Sequence, residues 1–410
     1  MITLHNHYPK NHSKKVHAMN YNFDEIIDRS NTACVKYDLR DLIFGRSDVV
    51  PLWVADMDFR TPDFIIDALK KRLEHEILGY SIRTESYYNA FAGWLKRRHN
   101  WEIKQDWVAF SPGIVPALNM AVLAFTQPGD RIIVQPPVYF PFFDAVSRHG
   151  RNLVYNELIL ENGRYHMDYN DLEKSCIEGA TMLILSNPHN PGGNAWSEDE
   201  LRRMAEICLK YNVLVVSDEI HCDLVNKGYK HTVLASLSPE IADFTLTMMA
   251  PSKTFNLAGL ATASVIISNP GLMRKYTEVL DALHIGSGNI FGNAASEAAY
   301  LHGDEWLGQL LEYIQGNIGY LEEFIELNLP VLRMIKPEAT YMVWLDFSLA
   351  GMNDEELKKF LIEKAGLGLN EGTMFGPGGS GFMRMNLACP RKTLGHALDR
   401  LKSAFSEQNQ

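Results

Sequence analysis

The 410-residue chain has no apolar run approaching the ~18 residues that a membrane-crossing helix needs. No apolar stretch follows its start in the manner of a secretory signal. A membrane is therefore not an expected partner, and the cytoplasm is the expected location. Cysteine is scarce. Cys34, Cys176, Cys208, Cys222 and Cys389 are odd in number, scattered and without a CxxC pair. They suggest neither a disulfide framework nor a zinc site, so no metal is expected. A basic block is also missing. The net charge is −11, and Lys70-Lys71-Arg72 and Lys96-Arg97-Arg98 stand at the spacing of solvated helix faces. Nucleic acid is not an expected partner. Internal repeats and low-complexity linkers are absent too.

What is present is a globular composition, 46% hydrophobic, in a chain too long for one ordinary core. At least two domains are expected. The first eighteen residues, MITLHNHYPKNHSKKVHA, hold four histidines and few large apolar side chains. They read as a flexible tail outside the fold, and amphipathic patterning begins at Met19.

From about 105 to 270, short apolar runs alternate with helical patterns. The runs start at Trp107, Arg131, Thr181, Val213, Phe244 and Ala263. Apolar on both faces, they suggest a mainly parallel sheet covered by helices, hence an α/β fold. SEDELRRMAEICLKYN (197–212) is an amphipathic helix with a Ser197/Glu200 capping box. Residues 271–330 read as mostly helical. The remainder mixes strands (341–346, 382–386) with helices (354–365, 391–406), as in a smaller α+β domain.

In open α/β sheets, ligands bind at the carboxyl ends of strands. Those ends read Ser111-Pro-Gly113-Ile114-Val115, Pro136-Pro-Val-Tyr139, Asn187-Pro-His-Asn190-Pro-Gly-Gly, Ser217-Asp218-Glu-Ile-His221 and Pro251-Ser252-Lys253. A lysine where an apolar run stops is either a surface loop lysine or a covalent anchor for an aldehyde cofactor. An acid ending the run VLVVSD is either a helix cap or the partner of a buried cation.

Taken in order, the glycine turn, the aromatic, NPxNPxG, DE and SK resemble pyridoxal-phosphate enzymes of the aspartate-aminotransferase fold. The resemblance runs from about 20 to 405. PLWVADMDF (51–59), GYSIRTESYY (79–88), SDEIHCDL (217–224) and MRMNLACPR (383–391) resemble more narrowly the cystathionine β-lyase, or C–S lyase, branch of the class I/II aminotransferase superfamily. The resemblance implies a large cofactor-binding domain at 61–304 and a small domain made of 19–60 and 305–410.

It also implies roles. Lys253 carries the cofactor, pyridoxal 5′-phosphate, and moves the substrate's α-proton. Asp218 faces the ring nitrogen. Asn190 donates to the ring oxygen, with the prolines stiffening its turn and the glycines letting it approach the ring. His221 stands where aminotransferases of this fold usually carry a tyrosine. Tyr139 stacks on the ring. Gly113, Ile114, Val115 and Ser252 hold the phosphate at a helix start, joined by Tyr80 from the other subunit of a homodimer with shared sites. Relatives often have a serine at the position of Ala250 and an arginine after the lysine, and both are missing here. Arg384 clamps the substrate carboxylate, and Ala55 and Asp56 line the substrate pocket. The implied activity is β-elimination of a thiol from L-cystathionine or another S-substituted L-cysteine. An aminotransferase, the alternative, shares the chemistry through removal of the α-proton, and a regulatory protein that binds the cofactor is a third reading.

Overall fold

The computed structural model describes residues 21–286 and 288–408. The histidine-containing tail 1–18 lies outside the described residues. One seven-stranded sheet holds β1 (Val108–Ser111), β2 (Arg131–Val134), β3 (Asn152–Tyr155), β4 (Ala180–Ser186), β5 (Leu214–Asp218), β6 (Thr245–Met249) and β7 (Ala263–Ile266). Their order is β1-β7-β6-β5-β4-β2-β3. Strands β2 to β6 pair in parallel, while β7 runs antiparallel to both neighbours.

The apolar runs become central strands because both faces are covered. Ile132, Val134, Met182, Ile184 and Val216 enter one core. Their alternate neighbours Ile133, Leu183, Leu185 and Val215 enter another. Strand β3 is not among the six runs read from the sequence. It is an edge strand with exposed and half-buried residues only, so it lacks the continuous apolar signature.

The helices include α1 (Asp63–Leu73), α2 (Ile114–Phe125), α3 (Glu198–Lys210) and α4 (Asp304–Asn328). The capping box of α3 is formed. Ser197 Oγ accepts from Glu200 N at 3.2 Å, and Glu200 Oε2 accepts from Ser197 N at 2.8 Å. Helix α1 ends at Leu73. Arg72 donates to the carbonyls of His75 and Ile77 and holds the chain in a bend. The segment beyond exposes Ile77, Leu78, Tyr80 and Ile82.

The C-terminal part carries an antiparallel sheet, β8-β9-β11-β10, made of β8 (Arg333–Ile335), β9 (Met342–Asp346), β10 (Asn370–Glu371) and β11 (Phe382–Asn386). Residues 50–58 lie along it. Val50 N and Leu52 N donate to Gly366 O and Gly368 O, Asn386 N donates to Leu52 O, and Asp58 N donates to Ala388 O, each at 2.9 Å. An ion-pair cluster fixes this segment. Arg29 pairs with Asp56 and Asp58 at 2.6 Å, and the fully buried Lys36 pairs with Asp58 at 2.8 Å.

Candidate active site

Strand register builds the site. Asp218, the last residue of β5, lies opposite Ser186 of β4 and Met248 of β6. Ser264 of β7 lies opposite Met249, and Ala263 opposite Ser111. Neighbouring strands are about 4.8 Å apart, so five strand ends share one row. A cavity of about 210 Å³ opens there.

Lys253 reaches this cavity from the short helix Pro251–Thr254 that follows β6. Its Nζ donates to Ala55 O at 2.6 Å. Loss of water and the nearby Arg384 charge lower the amine to about 8, against the opposing pull of Asp56 and Asp218. A lysine held there keeps an appreciable neutral, nucleophilic fraction near neutral pH.

Asp218 is buried and accepts one protein hydrogen bond, from Ile220 N at 3.1 Å. Burial pushes its carboxyl up to about 7, although that bond and the Lys253 charge both act to lower it. Among the described residues it has no ion-pair partner within reach. Asn190 lies in the same wall. Its Oδ1 accepts from Arg384 Nη1 at 3.0 Å, which leaves the Nδ2 amide to donate elsewhere. His221 is buried and its Nδ1 has no partner. Desolvation, with the Lys253 and Arg384 charges, lowers it to about 3, so the ring is neutral. Tyr139 lines the cavity, and burial raises its phenol.

The glycines of NPHNPGG are required by packing within the fold. Gly193 has φ +78°, and a Cβ there would come within 2.6 Å of Pro337 Cβ. At Gly192 a Cβ would lie 2.6 Å from the Tyr165 ring and 2.8 Å from His189.

Gly113 precedes α2, and Ile114 and Val115 begin it. All three line the cavity, as does Ser252. The first N–H groups of a helix lack intrahelical partners and suit an anion. Tyr80 does not enter the cavity of its own chain, since its side chain is fully exposed.

Arg384 is buried on β11. Besides Asn190 it donates to Asn370 Oδ1 at 2.7 Å and to Trp53 O at 3.2 Å, and it lies over the Phe375 ring at 5.0 Å. Its Nε has no partner, and it forms no ion pair with a described residue. Desolvation lowers it to about 10. A buried cation with only neutral partners calls for an anion.

Ala55 lines the cavity, and its carbonyl accepts from both Lys253 and Tyr341 Oη, the latter at 3.0 Å. Asp56 departs from the expectation. It is absent from the cavity wall, and its carboxylate is committed to Arg29 and Lys36. Adjacent residues point apart here: Ala55 faces the cavity and Asp56 the ion-pair cluster. Tyr341 and Thr262 were not singled out from the sequence, because nothing near them in the chain marks either as special.

The donor set fits pyridoxal phosphate. An aldehyde meets Lys253, an anionic tail meets the α2 start, and a basic ring nitrogen meets a buried carboxylate that lacks a cation. The family model for class I and II aminotransferases matches residues 47–401. Cystathionine beta-lyase PatB of Bacillus subtilis (strain 168) is 46% identical over 386 residues, covering 94% of this chain and 100% of that protein. Among solved structures, cystalysin from Treponema denticola, which contains pyridoxal 5′-phosphate, superposes with TM-score 0.93 at 39% identity, covering 95% of this chain and 100% of cystalysin. The pyridoxal-phosphate-bound C–S lyase from Staphylococcus hominis gives 0.89 at 36% identity, covering 95% and 99%. This chain belongs to the class I and II aminotransferase family and has its aspartate-aminotransferase-like fold.

Proposed function

We propose that this chain is a pyridoxal-phosphate-dependent carbon–sulfur β-lyase. Its substrate is L-cystathionine or a related S-substituted L-cysteine, and its products are a thiol, pyruvate and ammonia. The observation that carries the reading is a buried guanidinium, Arg384, and a buried carboxylate, Asp218, each without an ion-pair partner among the described residues, around the softened Lys253 amine. An α-amino acid on a protonated pyridine ring would satisfy both charges. The choice of lyase over aminotransferase rests on the relatives.

When bound, pyridoxal phosphate draws electrons from the substrate's α-carbon, so that the α-proton becomes removable and a thiolate can leave the β-carbon. The chain's residues do the rest. Lys253 Nζ holds the cofactor and then carries the α-proton. Asp218 keeps a proton on the ring nitrogen. Asn190 Nδ2 and the neutral His221 hold the ring oxygen. Tyr139 covers the ring and excludes water. Gly113, Ile114, Val115 and Ser252 hold the phosphate. Arg384 fixes the substrate carboxylate with its planar fork, and Ala55 bounds the pocket. The same reading makes the protein a cytoplasmic homodimer in which Tyr80 reaches the partner's phosphate. It also divides the chain into a large domain, 61–304, and a small one, 19–60 with 305–410.

The test is turnover of L-cystathionine with no keto acid added. Pyruvate and ammonia should accumulate in equal amounts, with homocysteine. A requirement for added keto acid would replace the lyase by an aminotransferase. Cofactor binding without turnover of any amino acid would leave a regulatory protein.

A further inference from the structure

Arg83 is a second buried arginine with only neutral partners. It is 6% exposed and forms no ion pair with a described residue. Its Nη2 donates to Thr262 Oγ1 at 3.2 Å and to Ala263 O at 2.9 Å, and its Nη1 donates to Ser264 Oγ at 3.1 Å. Nε reaches Asn293 Oδ1 at 3.4 Å. The guanidinium is sandwiched between Tyr87, at 4.5 Å, and Phe110, at 4.9 Å. Burying a charge in this way is costly unless an anion lies close.

Thr262 shows where that anion would be. It is 3% exposed and lines the cavity beside the start of α2. Its oxygen accepts from Arg83, and no described residue takes its hydroxyl proton. Among the described residues on the cavity wall Lys253 is the one arginine or lysine, and its amine is the covalent anchor. The loop 254–264 contains no basic residue.

We propose that Arg83 is a positioning residue for the phosphate of the cofactor, acting through Thr262. The arginine binds the threonine oxygen, sets the hydroxyl as a donor to the phosphate, and supplies a positive charge behind it. This rests on the pyridoxal-phosphate reading above.

The experiment compares pyridoxal phosphate with pyridoxal, which lacks the phosphate. Affinities of both are measured on cofactor-free full-length protein by absorbance and by fluorescence quenching. Inorganic phosphate serves as a competitor. Arg83→Met should weaken pyridoxal phosphate and inorganic phosphate by about tenfold, the scale of one charge-assisted hydrogen bond. It should leave pyridoxal unchanged. Arg83→Lys should recover part of the loss. Thr262→Val should reproduce it, Thr262→Ser should not, and the double variant should lose little more than either single one. A purely structural role would weaken both ligands alike, and that result overturns the proposal. An unchanged preference for the phosphorylated ligand in Thr262→Val overturns it too, even if Arg83→Met fails to fold. If the unaltered protein takes up no pyridoxal phosphate, the cofactor reading itself fails.

Discussion

The lowered basicity of Lys253 gives a prediction with a sign and a size. An ordinary lysine titrates near 10.5, and this one is lowered to about 8. At a pH of about 7.5, roughly a quarter of such amines are neutral, against about one in a thousand for an ordinary lysine. Capture of the cofactor requires the neutral amine. Cofactor-free protein should therefore bond pyridoxal phosphate roughly two hundred times faster than a surface lysine does, from this term alone. The capture rate should rise with pH and level off above about 8. Borohydride trapping at short times, followed by peptide mapping, measures it.

Two variants test the cause. After desolvation, Arg384 is the next contributor to the shift. Arg384→Met removes that charge and should move the levelling-off to higher pH. Asp218 acts in the opposite sense, so Asp218→Asn should move it to lower pH. A rate that keeps rising to pH about 10, as for an unperturbed lysine, would refute the reasoning. So would a profile that Arg384→Met leaves in place.

Three further outcomes are expected. Asp218→Ala should lower turnover on the order of 10²-fold while borohydride still labels Lys253; near-normal turnover would reduce Asp218 to a cap for Ile220 N. Mixing inactive Tyr80→Ala and Lys253→Ala chains under conditions that exchange subunits should restore activity, and no restoration means that each site is built within one chain. Asp223→Ala strands Trp94 Nε1, His99 Nε2 and Thr254 Oγ1, which it holds at 2.9–3.2 Å. It should cost about 3 kcal/mol or more in urea unfolding, and an unchanged midpoint contradicts that.

Six strands of the large sheet, the two longer strands of the C-terminal sheet and much of the cavity wall were legible because each depends on a local pattern. An apolar run that stops at Asp218 or just before Lys253 marks a strand end, and the sheet then brings such ends together. The errors arise where one residue's direction or a distant partner decides. Ala55 and Asp56 are neighbours, yet the backbone sends one to the cavity and the other to Arg29. The glycines after Asn190 answer to Pro337 and Tyr165, which no local pattern reveals. Arg83 meets Ala263 across 180 residues and Tyr341 meets Ala55 across 286, so their parts in the site emerge only when the chain is folded. Strand β3 escaped because an edge strand needs no second apolar face.

The unpaired charges also explain why such a site would bind its ligands tightly. Asp218 titrates near 7 in the fold against an ordinary 3.8. Its ionisation therefore opposes folding. With no cofactor, the fold loses stability as pH rises from about 4 to about 7, because the unfolded carboxyl ionises first. Above pH about 7 the full penalty, a few kcal/mol, is present. Arg384 and Lys253 add to the penalty near neutral pH with the opposite pH dependence, since both are lowered and both cost stability while protonated. Pairing Asp218 with Arg384 would have relieved the strain and closed the site. Held apart, each charge waits for a ligand group of opposite sign, a ring nitrogen for Asp218 and a carboxylate for Arg384. Binding a cationic ring beside Asp218 would return its carboxyl toward the ordinary range, and the free energy recovered would appear as affinity for the cofactor.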